Sequence, residues 1–383
     1  CLVGSEMCIR DSYSDGSITI YQWVKMKVVV AAGGTGGHLY PALALVEYIK
    51  KQDPNSKFLF IGTKDRLESQ VVPQLGYDYV GLNVKGLAGN PLKKAHAALL
   101  FVKSIGKAKK VIKKFNPDIV VGFGGYPSAS ALEAAASLKI KTMIHEQNSI
   151  IGLTNKILIK KVDKIICCYQ KAYEEFPQEK TLLLGNPRAS VVSHEVPKDI
   201  YDKYGLDRNK KVVTIVMGSL GSQTVNQTMK ESMNQFVGKE YQVLYVTGKP
   251  YYESMKDYEN ENVKIIPYVD DMPSLMHATD LIVSRAGAST LAELTALGVP
   301  AILIPSPYVA ANHQEYNARE LENNHAAKMI LEKDLTGEKL ISTIDSVIND
   351  QTALQILTEN AKKLGKPNAV EDMYQEIISM LGD

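Results

Sequence analysis

Nowhere in the 383 residues does an apolar run reach the roughly 18–20 positions that a membrane-spanning helix needs, so no such span is expected. Cysteine is scarce as well. Four are present: Cys1 and Cys8 near the start, and Cys167 beside Cys168 in "DKIICCYQ". Adjacent strand residues point to opposite faces and rarely bridge, and no metal-type spacing occurs. That usage fits a reducing, cytosolic compartment, with the pair read as small buried apolar residues. Neither sign of charge dominates. Lys and Arg number 44 against 42 Asp and Glu, a net charge of +2, so there is no global footprint for nucleic acid.

Two common nucleotide signatures are also missing. A dinucleotide fingerprint would read G-x-G-x-x-G with an acidic residue about 20 positions on; Gly34, Gly36 and Gly37 do not keep that spacing. A Walker loop would need G-K-[ST], which does not follow these glycines. The first 25 residues lack the basic start and continuous apolar stretch of a signal peptide. Their "CLVGSEMCIRDS" resembles translated sequencing-adapter read-through, so residues 1–25 are expected to be a non-native leader before a natural start at Met26.

What is present is an alternation. From Met26, "KVVVAA", "KFLFIGT", "PDIVVGF", "KTMIHE" and "KIICCY" are short apolar strands separated by helical patterns such as "PALALVEYIKKQ" and "ASALEAAASLK". The series restarts at Lys211 with "KKVVTIVMGS", followed by "YQVLYVTG", "VKIIPYV", "DLIVSRAG" and "PAILIPSP". Two doubly wound α/β units with parallel sheets follow. The expected domains are 26–190 and 191–383, joined by a turn-rich linker over Gly185–Asp199. Ligands in such sheets bind beyond the carboxyl ends of the strands, which puts the default site in a cleft between the two units.

Several loops carry the chemistry. "GGTGGH" follows one strand and opens a helix, so its glycines allow close backbone approach while the helix start offers free N–H groups to an anion. His38 stands at that helix start, where a neutral imidazole could accept a proton; the plainer alternative is a hydrogen-bonded structural histidine. "MGSLGSQ" puts Gly218, Ser219, Gly221 and Ser222 at the equivalent turn of the second unit, another candidate phosphate cradle. In "SRAGASTLAEL", Ala288, Ser289 and Thr290 open a helix with donors free for a diphosphate. Glu293, one turn further in, could accept both hydroxyls of a ribose or simply complement the helix dipole. Asn312, His313, Gln314 and Glu315 crowd a loop whose amides and carboxylate suit a neutral polyhydroxyl ligand.

Together "GGTGGHLYPA", "GFGGYPS", "HEQNSIIGLTN", "GNPR", "SRAGASTLAEL" and "NHQEYNA", in this order, resemble the MurG family of bacterial glycosyltransferases from Met26 to near the C-terminus. The resemblance implies two Rossmann-like domains facing across a cleft (the GT-B type), with the last helix crossing back to the first domain. It implies transfer of GlcNAc from UDP-GlcNAc to the 4-hydroxyl of a lipid-linked muramyl-pentapeptide, with inversion and without a cofactor; no D-x-D carboxylate pair sits in these motifs, so no metal is expected. On the donor it implies Thr35, Gly36, Gly37, Asn148, Arg188, Ser219, the Val269 backbone, Ala288, Ser289, Thr290, Leu291, Ala292 and Glu293, with Gln314 reading the GlcNAc hydroxyls. On the acceptor it implies His38, Tyr126 and His145. Two departures stand out. Leu220 replaces a polar residue in the second glycine turn, and the position of the arginine in "GNPR" shifts by one in some relatives.

His38 is the expected general base. Between Tyr79 and Pro117 the chain has no Asp or Glu but carries Lys85, Lys93, Lys94, Lys103, Lys107, Lys109, Lys110, Lys113 and Lys114 around Leu99, Leu100, Phe101, Val102 and Ile105. A basic, apolar face within 80–117 suits peripheral attachment to the anionic inner leaflet, on the cytoplasmic side of the membrane. Other cell-wall synthesis proteins are implied partners. Three alternatives stay open at this point: a UDP-GlcNAc 2-epimerase, a glycosyltransferase acting on diacylglycerol, and a non-catalytic nucleotide-sugar-binding scaffold.

Overall fold

The computed structural model describes residues 26–86, 90–194 and 197–382; the expected leader over residues 1–25 lies outside them. The first sheet contains β1 (Lys27–Ala31), β2 (Lys57–Thr63), β3 (Asp78–Leu82), β4 (Ile119–Gly122), β5 (Lys141–Glu146), β6 (Lys164–Cys167) and β7 (Thr181–Leu182) in the order β3-β2-β1-β4-β5-β6-β7. The second contains β8 (Val212–Val216), β9 (Gln242–Val246), β10 (Val263–Ile266), β11 (Leu281–Ser284), β12 (Ala301–Leu303) and β13 (Lys328–Met329) in the order β10-β9-β8-β11-β12-β13. β1 runs parallel to β2 and β4, and β8 runs parallel to β9 and β11.

Central strands of such sheets are covered on both faces and therefore read as continuous apolar runs. Val28, Val29, Val30, Ile61, Val120 and Val121 are all fully buried. In the second sheet alternate residues feed two separate cores. Val213, Ile215, Val243, Tyr245, Leu281 and Val283 enter one; Val212, Val216, Leu244, Val246 and Ile282 enter the other.

The chain forms two compact units. One takes the described residues up to His145, Thr154–Ile165 and the chain from Glu371 onward; the other takes Glu146–Leu153 and Ile166–Val370. The final helix, Ala369–Gly382, is tied to the first unit by an edge-on contact of Tyr374 with Tyr48, 5.6 Å between ring centroids, and by a Glu376–Lys164 ion pair of 2.8 Å.

Each sheet order reverses direction once beside its first strand, between β1 and β4 and between β8 and β11. At such a switch point the connections leave toward opposite faces and open a crevice at the strand ends. Four glycine-bearing loops occupy these two places: "GGTGGH" after β1, "FGGYPS" after β4, "MGSLGS" after β8 and "RAGAS" after β11.

Candidate active site

In the first unit, Thr35 is the extended residue that precedes helix α1 (Gly36–Gln52), and its exposed side chain makes no capping hydrogen bond. Gly36 and Gly37 are the first two helical residues and His38 the third. Helix α2 (Leu67–Gln74) follows β2, helix α3 (Pro91–Phe115) precedes β4, and helix α4 (Tyr126–Ser137) follows β4. Neither α1 nor α4 has an acidic residue in its first turn, so both positive helix ends remain available to an anion.

His38 Nδ1 lies 2.7 Å from the Gly33 carbonyl oxygen. A carbonyl only accepts, so Nδ1 carries the proton and the basic lone pair belongs to Nε2. The β4–α4 loop closes against this ring. Gly124 has φ of +106°, and a methyl group there would come within 2.9 Å of the imidazole. A Cβ on the next glycine, Gly125, would collide with the Gly33 carbonyl oxygen. Side chains are therefore excluded where the two loops meet. Tyr126 is half-buried at the start of α4, beside Gly86. His145, expected to line the acceptor side, is fully buried, with its ring 5.2 Å from Phe123. β5 is buried from Thr142 to Glu146 and carries it inward with its neighbours.

In the second unit, Ser219 sits on an exposed turn between Gly218 (φ +79°) and Gly221 (φ +71°). Ser222 caps the helix Gln223–Ser232, accepting from the Val225 N–H at 3.4 Å. Its Oγ also accepts from Arg285 Nη2 at 2.7 Å. Arg285 further donates to the Ile304 carbonyl at 3.0 Å and pairs with Glu332, which fixes a guanidinium beside the turn. With Gly221, Ser222, Ser306, Tyr308 and Gln314 it lines a cavity of about 350 Å³ beyond the ends of β8, β11 and β12. Gln314 accepts the Ser306 N–H through Oε1 at 2.9 Å, which orients its amide at the cavity wall.

The helix Ala288–Leu297 begins after Gly287 with neither a side-chain cap nor an acidic first turn. The Ser289 Oγ is buried without a protein hydrogen-bond partner. Such a hydroxyl is costly unless something else accepts from it, and a phosphate oxygen would. Leu291 leaves the expected donor set: its side chain is 1% exposed in the core, and its N–H already donates to the Gly287 carbonyl at 2.9 Å. Thr290 and Ala292 are half-buried. Val269 is 5% exposed with its side chain in the core, so only its backbone can meet a base.

Two expected contacts turn out to be partners of each other. Arg188 reaches Glu293 Oε1 through Nε at 2.7 Å and through Nη2 at 2.6 Å. Burial is the larger influence and pushes the Glu293 carboxyl above its usual value, while the Arg188 charge pulls it back. Both Arg188 contacts fall on Oε1. Of the polar cluster after β12, only Gln314 lines the cavity. His313 Nδ1 donates to the Ala310 carbonyl, and Glu315 is taken by Asn312 and Arg319, whose hydrogen bonds hold its carboxyl low.

Asn148 is held by Glu146 and by Asn317. Its N–H and Nδ2 donate to Glu146 Oε1 at 3.0 and 3.3 Å, and its Oδ1 accepts from Asn317 Nδ2 at 3.1 Å. Asn317 is fully buried and also accepts the Ser149 N–H at 2.9 Å. The sequence reading assigned no role to Asn317, Arg285 or Glu68. The first two stand in quoted motifs; Glu68 lies outside every motif.

With this geometry in place, comparison with known proteins gives the family. The glycosyltransferase family 28 N-terminal domain matches residues 28–167, and the family 28 C-terminal domain matches residues 212–373. The chain belongs to glycosyltransferase family 28.

Relatives within this family are close in length. One is 46% identical over 356 residues, 91% of this chain and 98% of its own: UDP-N-acetylglucosamine--N-acetylmuramyl-(pentapeptide) pyrophosphoryl-undecaprenol N-acetylglucosamine transferase 1 of Bacillus cereus. The transferase of the same name, without the numeral, from Listeria monocytogenes is 42% identical over 362 residues, 93% of this chain and 100% of its own. Among solved structures, MurG of Acinetobacter baumannii superimposes with a TM-score of 0.75 at 25% identity, covering 92% of this chain and 99% of that one. A putative UDP-N-acetylglucosamine 2-epimerase of Listeria monocytogenes, with a TM-score of 0.68 at 15% identity and coverage of 94% and 97%, shares the fold alone. The family 28 assignment and these neighbours fit the expected pair of Rossmann-like GT-B domains.

Proposed function

We propose that this chain transfers GlcNAc from UDP-GlcNAc to the 4-hydroxyl of a lipid-linked MurNAc-pentapeptide, inverting the anomeric centre. The observation that carries this reading is 46% identity over nearly the whole length of relatives named for that reaction. The open helix ends beside the glycine loops support it physically. Negative charge grows on the departing diphosphate as the C1–O bond breaks, and preorganised N–H groups stabilise growing charge most effectively. Ala288, Ser289 and Thr290 hold the diphosphate, with the Ser219 turn beside it. Glu293 and the Val269 backbone hold the uridine, and Gln314 with Asn148 reads the sugar. Thr35, Gly36 and Gly37 meet the transferring sugar, Tyr126 lines the acceptor, and His38 Nε2 takes the proton from its hydroxyl. Backbone donors carry the leaving-group charge in this account, so it calls for no metal.

The test is the product. With UDP-GlcNAc, whose C1–phosphate bond is α, and a short-chain lipid acceptor, the product should show the large anomeric proton coupling of a β-linkage at the muramyl C4 oxygen. An α-linked product would contradict inversion.

The same reading places the enzyme at a membrane surface. No described helix is long and apolar enough to cross a membrane. α3 turns Ala97, Ser104, Ala108 and Ile112 inward, with a Ser104–Ser130 hydroxyl contact of 2.6 Å to α4. Leu92, Leu99 and Val102, spaced seven and three residues apart, stay 81%, 52% and 65% exposed on another face. Lys103, Lys110 and Lys113 are exposed along α3, whereas Lys107 donates to the Gly81 carbonyl at 2.9 Å. An exposed apolar stripe flanked by lysines supports docking to an anionic leaflet. At about 1 kcal/mol per lysine near the surface, replacing Lys103, Lys110 and Lys113 by Glu should weaken binding to phosphatidylglycerol vesicles roughly 100-fold or more. Unchanged vesicle partition would contradict the dock.

A further inference from the structure

Glu68 lies in α2 and is 1% exposed. A buried carboxylate is costly unless hydrogen bonds satisfy it. This one accepts the Gly34 N–H at 3.2 and 3.3 Å through its two oxygens, the Thr63 N–H at 3.0 Å and the Thr63 hydroxyl at 2.7 Å. Around it, the Tyr79 hydroxyl of β3 donates to the Thr63 carbonyl. Burial first, then the charges of Glu68 and Asp65, push the Tyr79 phenol up, so it remains a donor.

The identity of the peptide that Glu68 grips is what matters. The N–H of Gly34 and the C=O of Gly33 belong to one planar group. Its carbonyl receives the His38 Nδ1 proton at 2.7 Å. Carboxylate and imidazole are thus linked through a single peptide unit, with Glu68 holding its N–H and His38 using its C=O. The unit sits where only glycine fits. Gly34 has φ of +96°, and a Cβ on Gly33 would stand 2.8 Å from Pro127 Cγ and 3.1 Å from Glu68 Oε1. Hydrogen bonds in such a chain polarise one another, so an anion on the N–H makes the carbonyl a better acceptor.

We propose that Glu68 is a positioning residue for His38: by fixing the Gly33–Gly34 peptide it holds the imidazole in the Nδ1–H tautomer with the lone pair on Nε2. The logic is that of a carboxylate orienting a histidine directly, with one peptide interposed. The consequence for turnover rests on the reading of His38 as general base; the consequence for the tautomer does not.

The test uses the full chain with ¹⁵N-labelled histidine, His38 signals being assigned by their loss in His38→Gln. The parent should show a protonated-type Nδ1 and a bare-type Nε2. Glu68→Gln, which keeps the volume, and Glu68→Ala should both give mixed tautomers. Their kcat should fall about ten- to a hundredfold, with KM for UDP-GlcNAc changed less than twofold. Thr63→Val, which removes another partner of the same carboxylate but leaves the Gly34 contact, should keep the parent tautomer. A pure Nδ1–H tautomer in both Glu68 variants would overturn the proposal, whatever their rates. Full turnover in His38→Ala would instead remove the base reading and leave the nitrogen shifts to decide on Glu68.

Discussion

His38→Ala is expected to lower kcat by about 10²–10⁴-fold while leaving the affinity for UDP-GlcNAc within a factor of two. The size follows from what the residue supplies. A sugar hydroxyl is a weak nucleophile, and removing its proton as the C–O bond forms is worth that range when the base is held in place. His38 is held three ways: by its place in the first turn of α1, by the Gly33 carbonyl on Nδ1, and by Gly124 against the ring. Donor binding should survive because the ribose and diphosphate contacts are assigned to second-unit residues. Steady-state kinetics with UDP release, alongside calorimetry of UDP-GlcNAc binding, reads both quantities. Near-parental kcat would remove His38 from the role of base.

Arg188→Ala is expected to act on stability and on donor binding together. Breaking a buried ion pair costs about 3 kcal/mol, because the remaining charge keeps its desolvation penalty. Here that charge is Glu293, 8% exposed, whose carboxyl is already raised by burial and restrained by Arg188. A group raised in the folded state contributes stability that is complete below its unfolded value, about pH 4.3, and is lost as pH rises through the folded value. Without Arg188 the raise grows and the loss at neutral pH deepens. The variant should therefore melt several degrees below the parent at pH 7.5, with a smaller gap at pH 5. A gap that widens in acid would contradict this assignment. KM for UDP-GlcNAc should rise at least tenfold, since a Glu293 no longer oriented by Arg188 accepts hydrogen bonds from ribose hydroxyls poorly.

The strands that carry the site were legible in the sequence, because β1, β4, β8 and β11 lie in sheet interiors and read as unbroken apolar runs. The three strands that were not expected, β3, β7 and β13, are edge strands of their sheets. Two of them are only two residues long, and "DYVGL" of β3 is mostly half-buried, so periodicity has little to report there. The loops were legible through glycine spacing. The partners that set their geometry were not. That Arg188 meets Glu293 across 105 positions, or that Glu68 reaches back 34 positions to Gly34, depends on tertiary contacts that leave no local pattern. Leu291 shows the converse error. A motif names consecutive residues, but helical geometry frees the donors of only the first turn and turns the next side chain into the core.

The most direct measurement of the central claim is UDP release from UDP-GlcNAc in EDTA, with and without a lipid-linked muramyl-pentapeptide acceptor. Glycosyl transfer of the kind proposed predicts release only when the acceptor is present, in step with a GlcNAc-extended lipid product and indifferent to EDTA. Equal release without acceptor would contradict transfer and point to hydrolysis of the donor by water. Release abolished by EDTA would contradict the account in which helix ends and backbone donors alone carry the leaving-group charge.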